Sequence, residues 1–143
     1  MYVADLLAAK GTMVATVGGD ATVGVVVAEL VRHRIGALIV SSDGNRIDGI
    51  VSERDIVRHL SELRNDFLDE PVTRIMSTDV VVCTPTEGVE SIMNLMTERR
   101  IRHVPVVEDD RLCGIVSIGD VVKSRIGELE KDRFELMEYI TAR

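Results

Sequence analysis

Apolar and polar residues follow two different periods along the chain, and the order of the two periods occurs twice. Short runs rich in valine and isoleucine are typical of strands, whereas apolar residues three or four apart are typical of helices with one buried face. The first helix predicted in this way buries Val23, Val26, Val27, Leu30 and Val31. The second buries Ile56, Val57, Leu60 and Leu63. Strands and helices therefore alternate, as in a mixed α+β domain.

The start of the second helix is part of an internal repeat. Residues Gly49–Val57 read GIVSERDIV, and residues Gly114–Val122 read GIVSIGDVV, 65 residues later. Two upstream stretches align in the same order, Arg34–Ser52 with Arg100–Ser117 and Val14–Val23 with Val80–Val89. Each copy contains a short strand, a helix, a hairpin and a second helix. We therefore expect an α+β fold of two pseudo-symmetric, α/β-like repeats, each with two helices on a small three-stranded sheet.

One such repeat is too small to be stable alone, because a unit of about 60 residues buries too little of its surface. The two copies are therefore expected to share a core. We assign residues 1–65 to the first repeat, residues 66–125 to the second, and residues 126–143 to a C-terminal amphipathic helix. The apolar side of that helix contains Ile126, Leu129, Phe134, Met137 and Ile140. This side needs a partner, which is either the repeat pair or another subunit.

The charge of the chain narrows the range of partners. The 17 Lys and Arg residues face 24 Asp and Glu residues, which gives a net charge of −7 at pH 7. Such an acidic chain is not expected to bind nucleic acid. No apolar run approaches the roughly 20 residues that span a membrane, and the N-terminus lacks the features of a signal peptide. We therefore expect a cytoplasmic protein that does not bind membranes.

Catalytic and metal-binding motifs are not found in the sequence. Cys83 and Cys113 have no CxxC partner and no histidine at ligand spacing, so they are interpreted as reduced, buried thiols. The chain has no GxxxxGK[ST], GxGxxG or HExxH motif, and its three histidines lie on separate elements. The sequence therefore indicates neither an enzyme nor a metalloprotein.

The repeated S-x-x-D motif has two interpretations. Ser52 with Asp55, and Ser117 with Asp120, match a capping box, in which each side chain bonds a backbone N–H group at the helix start. Such a cap contributes only about 1 kcal/mol. The same helix start also presents free N–H groups to an anion, and its aspartate can accept hydrogen bonds from a diol. If both helix starts face one cleft, they form a binding site.

Basic residues favour the second interpretation in one repeat. Arg102 and His103 begin the central strand of the second repeat, where the first repeat has Gly36 and Ala37. This difference indicates one pocket for an anion and one that is more apolar.

Two further cations have open roles. Arg54 either adds charge to the first pocket or pairs with Glu53 or Asp55, whereas the equivalent Gly119 leaves space. Lys10 either reaches a phosphate or is simply exposed.

With these motifs the chain resembles a tandem pair of cystathionine-β-synthase-type (CBS) domains, a Bateman module, from about Val3 to Lys123. The lead-in at Val72–Ser77 and its weaker counterpart at Val3–Ala8 belong to the resemblance. It implies a regulatory module that binds an adenine nucleotide in the cleft between the repeats. AMP is the first choice, and ATP, an NAD-type dinucleotide and S-adenosylmethionine are the alternatives. It also implies a homodimer with a flat, disc-like arrangement of four repeats.

The resemblance also implies roles for individual residues. Asp55 and Asp120 correspond to ribose ligands, and Ser52 and Ser117 to contacts with ribose or phosphate. Arg102 and His103 correspond to phosphate ligands. The other positions that fall near the ligand are Thr16 or Val17, Thr84, Ile35, Gly36, Ala37 and Ile101. The first repeat lacks the basic pair and has Gly18 in place of Thr84, so the second repeat is favoured as the site.

Two hypotheses of different kinds follow. The first is a stand-alone nucleotide sensor whose packing changes on binding and is read by a downstream protein that the sequence does not identify. The second is a dimeric interaction scaffold in which the S-x-x-D motifs only cap helices and the pockets are empty. An enzyme that acts on the nucleotide ranks last, because the two repeats and the C-terminal helix account for the whole sequence.

Overall fold

Two α+β halves make up the fold, seen here in a computed structural model that describes residues 1–62 and 66–142. The helices are α1 (Val3–Lys10), α2 (Val23–His33), α3 (Glu53–Leu60), α4 (Val89–Arg99) and α5 (Ile118–Thr141). The strands are β1 (Thr16–Val17), β2 (Ala37–Val40), β3 (Gly49–Ser52), β4 (His103–Glu108) and β5 (Arg111–Ser117). Two 3-10 turns, Phe67–Asp69 and Val72–Arg74, connect the halves. The predicted α+β class with two repeats is confirmed.

The first half contains a three-stranded sheet in the order β1-β2-β3. Strand β1 is parallel to β2, and β2 is antiparallel to β3 with Ala37 opposite Ser52. All four residues of β2 are buried. A strand that is buried on both faces is expected to be apolar throughout, and β2 reads Ala-Leu-Ile-Val.

Within residues 66–142, the second half contains a two-stranded sheet, β4-β5, where the sequence predicted three strands. The expected first strand is reduced to one parallel bridge between Cys83 and Val106. The Cys83 N–H group donates to the Pro105 carbonyl at 3.0 Å, and the Val107 N–H group donates to the Cys83 carbonyl at 2.8 Å. The next ladder donor would be Pro85, which has no N–H group, so the pairing ends there.

The two lead-in segments cross over between the halves. Helix α1 contributes Val3, Leu6 and Leu7 to the core of the second half. The turn at Val72–Arg74 follows the first half and packs into that half's core through Val72. The contact between α1 and β5 is close, because a Cβ atom added at Gly114 would lie 2.6 Å from the Leu7 side chain. The first residues of the chain therefore hold the second half in place.

Several apolar side chains predicted to be buried are exposed. Val31 and Val57 are 73% and 67% exposed, because no described element covers the outer sides of α2 and α3. Leu60 is also exposed, and Leu63 lies outside the described residues. Ile56, by contrast, is buried as predicted.

Helix α5 joins two elements that the sequence predicted separately. It runs without a break from Ile118 to Thr141, so the second helix of repeat 2 continues directly into the C-terminal helix. The apolar side of its C-terminal part is exposed at Ile126, Leu129, Phe134, Met137 and Ile140. The repeat pair therefore does not cover that side.

Candidate functional site

Both S-x-x-D motifs form the predicted capping boxes. Ser52 Oγ accepts from the Asp55 N–H group at 3.3 Å, and Asp55 Oδ2 accepts from the Ser52 N–H group at 2.8 Å. The corresponding distances for Ser117 and Asp120 are 3.2 and 2.9 Å. In the described chain, the hydrogen bonds of both aspartates use only Oδ2. The cap therefore leaves Oδ1 of Asp55 available to a ligand.

The two helix starts have the same backbone surroundings. The Glu53 N–H group donates to the Gly36 carbonyl at 3.0 Å, and the equivalent Ile118 N–H group donates to the Arg102 carbonyl at 2.8 Å. Each helix therefore begins against the strand that follows the first helix of its own repeat. The repeat symmetry predicted from the sequence extends to this local geometry.

A cleft of about 370 Å³ lies between the halves at the start of α3. The first half contributes Gly36, Ile50, Ser52, Glu53, Arg54, Asp55 and Arg58 to its lining. The segment after the first half contributes Ser77, Asp79, Val80, Val81, Arg99, Arg100, Ile101, Arg102 and His103. The cleft therefore combines the aspartate motif of one repeat with the basic segment of the other.

The cleft brings together some of the predicted site residues and separates others. Those that line it are Gly36, Ser52, Arg54, Asp55, Ile101, Arg102 and His103. Those that do not are Lys10, Thr16, Val17, Ile35, Ala37, Thr84, Ser117, Gly119 and Asp120. Among them, Ile35 lines a neighbouring hollow between α2 and α3, and Thr84 lines a separate one beside Glu87.

Asp120 has a different partner. Lys10, at the end of α1, donates to Asp120 Oδ2 at 2.6 Å and to the Ile115 carbonyl at 2.8 Å. Burial alone would raise the pKa of Asp120, but the hydrogen bonds from Lys10 and Ser117 hold it below 3.8. The expectation that both helix starts line one cleft is not met, because only the start of α3 does so. Although the sequence favoured the second repeat, the open space lies beside Asp55.

The lining of the cleft is rich in positive charge. It contains five arginines, Arg54, Arg58, Arg99, Arg100 and Arg102, against three carboxylates, Glu53, Asp55 and Asp79. None of the five guanidinium groups forms an ion pair with a residue in the described ranges. The alternative in which Arg54 pairs with Glu53 or Asp55 is therefore wrong for this structure. Unpaired arginines around a cleft suit an anion that bears several oxygens.

His103 contributes a hydrogen-bonding group rather than a charge. Burial lowers its pKa below 6.5, the nearby Glu53 and Asp120 carboxylates oppose this shift, and Lys10 and Arg102 add to it. The imidazole is therefore mainly neutral at pH 7. A neutral imidazole donates with one nitrogen and accepts with the other.

Several cleft residues were not predicted as ligands from the sequence. Arg58 lies four positions after Arg54 on α3, so helical spacing alone places both on one face. Arg99 and Arg100, at the end of α4, also line the cleft. No motif in the sequence indicated that Asp79 lines the cleft, because its position there depends on how the second half packs against the first.

Two facing α+β repeats with a basic cleft between them define a tandem-repeat module. Residues 5–62 and 72–127 each match the CBS domain family. Because these segments make up more than half of the chain, the chain belongs to that family. Among residues 1–62 and 66–142, no helix combines the length and apolar composition needed to cross a membrane.

Known relatives share this architecture. The chain is 36% identical over 125 residues to the mitochondrial CBS domain-containing protein CBSX3 of Arabidopsis thaliana, a match that covers 85% of the chain and 61% of that protein. The crystal structure of the CBS-domain protein ATU1752 from Agrobacterium tumefaciens superposes with a TM-score of 0.84 at 42% identity. That match covers 87% of this chain and 99% of the solved one.

A more distant neighbour was solved with ligands. The CBS domain pair of MJ0100 superposes with a TM-score of 0.79 at 24% identity, and the match covers 90% of this chain and 98% of that one. It was crystallised in complex with 5-methylthioadenosine and S-adenosyl-L-methionine. At this level of identity the likeness shows a common fold.

Proposed function

We propose that this chain is a regulatory module that binds an adenine nucleotide in the cleft between its two repeats. The observation that carries the proposal is the placement of Asp55 and five unpaired arginines on the walls of one cleft. A carboxylate suits the ribose hydroxyls, and guanidinium groups suit the phosphates. AMP, ATP and NAD-type dinucleotides all combine these two groups.

The geometry supports one orientation of the nucleotide. Asp55 Oδ1 and the Ser52 hydroxyl at the start of α3 would contact the ribose. The phosphates would extend towards the arginines at the end of α4. The apolar residues Val80, Val81 and Ile101 of the lining would contact the base. This arrangement places the ligand against both halves of the molecule.

Contact with both halves provides a way to signal. A ligand shifts a conformational equilibrium only by the difference in its affinity for the two states. A nucleotide that bridges α3 and the end of α4 favours the arrangement in which these elements are close. A downstream protein would then read the changed packing. We propose no chemical change of the nucleotide, because the cleft is accounted for by binding alone.

The ligands of a related structure support the class of molecule. The MJ0100 domain pair was solved with two adenosine derivatives. We therefore propose that the ligand of this chain contains an adenosine group, as those two ligands do. The arginines of the cleft favour a ligand that also carries phosphate groups. A cytoplasmic location remains a prediction.

Binding can be tested by calorimetry and by thermal unfolding. Under the proposal, ATP or AMP binds the purified chain, and a ligand at 100 times its dissociation constant adds about 2.7 kcal/mol to the free energy of unfolding. The Asp55→Ala variant should bind more weakly. If no adenine nucleotide binds and none is released on denaturation, the scaffold hypothesis replaces this one.

We also propose that the chain forms a homodimer. Val57 of α3 and its repeat equivalent Val122 of α5 are both exposed, as are Val31 and Ile126. Exposed apolar groups at equivalent places on two repeats form a surface that a second copy can cover. Light scattering should give twice the chain mass. Replacing Val57 and Val122 together by Asp should give a folded monomer, whereas an unchanged mass would contradict the proposed interface.

A further inference from the structure

We infer that the cleft selects adenine nucleotides with two or more phosphates over AMP and over S-adenosyl-L-methionine. This inference rests on the proposed function and refines its ligand. It departs from the sequence analysis, in which AMP was the first choice. Three observations carry it: the convergence of the arginines, their lack of partners, and a second hollow beside the first.

The five arginines reach the cleft from both halves of the molecule. Arg54 and Arg58 are four residues apart on α3, and therefore lie on the same face of that helix. Arg99 ends α4, Arg100 is its left-handed C-cap, and Arg102 precedes β4. Cations from two separate elements can contact two separate phosphate groups. A single phosphate would leave some of them unused.

The lack of partners matters because the chain as a whole is acidic. With a net charge of −7, carboxylates outnumber cations over the molecule, yet the cleft has five arginines and three carboxylates. Asp55 is assigned to the ribose. The arginines therefore outnumber the carboxylates of the cleft, and none of them forms an ion pair within the described residues. Like charges held together in this way are stabilised by a multivalent anion.

A second hollow gives a longer phosphate chain somewhere to extend. It has a volume of about 330 Å³ and shares Arg54, Arg100, Ile101 and Arg102 with the cleft. The three shared arginines thus border both spaces. Under this inference, a phosphate chain that begins in the cleft extends along the arginines that border both spaces.

The same charge acts against S-adenosyl-L-methionine. Its sulfonium centre is positive and would lie where a nucleotide carries its first phosphate. A phosphate monoester carries about −1.5 to −2 charges at pH 7, so this position changes sign between the two ligands. Although the related MJ0100 pair was solved with that sulfonium compound, we expect this chain to disfavour it.

The test is a comparison of four ligands on the wild-type chain by isothermal titration calorimetry. With divalent cations chelated, ATP and ADP should bind at least tenfold more tightly than AMP, and S-adenosyl-L-methionine more weakly than AMP. Raising the salt from 0.05 to 0.2 M should weaken ATP binding more than AMP binding, because screening acts on each charge contact. AMP or the sulfonium compound binding as tightly as ATP would overturn this inference and leave the proposed function standing.

Variants assign the effect to the arginines. Arg100→Gln, which changes an arginine that borders both spaces, should weaken ATP binding at least threefold more than AMP binding. The control is Arg32→Gln, on the outer side of α2 and paired with Glu29, which should change neither. Equal losses for ATP and AMP in the Arg100 variant would contradict the assignment of Arg100 to the outer phosphates. If none of the four ligands binds the wild-type chain, the proposed function itself fails, and the selectivity fails with it.

Discussion

Replacing Asp55 and Asp120 by alanine, one at a time, separates helix capping from ligand binding. Both aspartates accept a backbone hydrogen bond at the start of a helix, at 2.8 Å for Asp55 and 2.9 Å for Asp120. Each variant should therefore lose about 1 kcal/mol of stability. Asp120→Ala also loses the ion pair with Lys10, and a partly exposed pair of this kind contributes about 0.2–1 kcal/mol. Asp120→Ala is therefore expected to be the less stable variant.

The order should reverse for nucleotide affinity. Hydrogen bonds to a charged group contribute about 1.5–3 kcal/mol, so the loss of the ribose contacts of Asp55 should weaken binding by roughly 10- to 150-fold. Asp120 does not line the cleft, and its removal should change the affinity less than about threefold, an energy change below about 0.7 kcal/mol. The more stable variant is thus expected to be the weaker binder.

The assay pairs urea unfolding, followed by circular dichroism, with calorimetric titration of ATP into each variant. Circular dichroism also shows that both variants fold. If the two variants lose affinity equally, or if only Asp120→Ala loses it, the cleft beside Asp55 is not the nucleotide site. If Asp55→Ala binds as tightly as the wild type, its carboxylate is only a helix cap.

Three further changes test the surroundings of the site. Gly114→Ala places a Cβ atom 2.6 Å from Leu7, so urea unfolding should show a loss of about 1–3 kcal/mol, and an unchanged stability would contradict the packing of α1 on β5. Lys10→Met should be less stable than the wild type above pH 3.8, and this difference in stability should vanish as the pH falls through the lowered pKa of Asp120. A difference in stability that does not depend on pH would contradict the ion pair between Lys10 and Asp120. The wild-type chain should lose stability as the pH falls below 6.5, because burial lowers the pKa of His103 in the folded state and the unfolded chain therefore binds a proton at this histidine more readily. His103→Gln should reduce this loss, and equal stability–pH profiles for the variant and the wild type would contradict the lowered pKa.

Duplication explains why so much of the fold could be predicted from one sequence. The same pattern of strands and helices occurs twice, 65 residues apart, and it predicted both the two-repeat architecture and the first residues of α3 and α5. The exchange of lead-in segments could not be predicted, because apolar spacing shows which side of α1 is buried but not which half buries it. The close approach of Leu7 to Gly114 is a tertiary contact with no local signal. Pro85, by contrast, was a visible reason for the missing third strand.

The candidate site was predictable where its residues are close in sequence. Ser52 is the N-cap of α3 and Arg54 and Asp55 lie in its first turn, and the motif identified all three together. The pairing of Lys10 with Asp120 spans 110 residues and depends on the position of α1, so spacing could not show it. That contact gives Asp120 an ion-pair partner, whereas Asp55, its equivalent in the repeated motif, forms no ion pair within the described residues.

The position of the bound nucleotide is the most direct test of the account. In a titration of the isotope-labelled chain with ATP, followed by amide chemical shifts in NMR spectra, the largest changes should fall on residues 52–58 and 99–103. Residues 117–120 should change less. Changes concentrated at residues 117–120, or no change anywhere at millimolar ATP, would contradict a nucleotide site in the cleft beside Asp55.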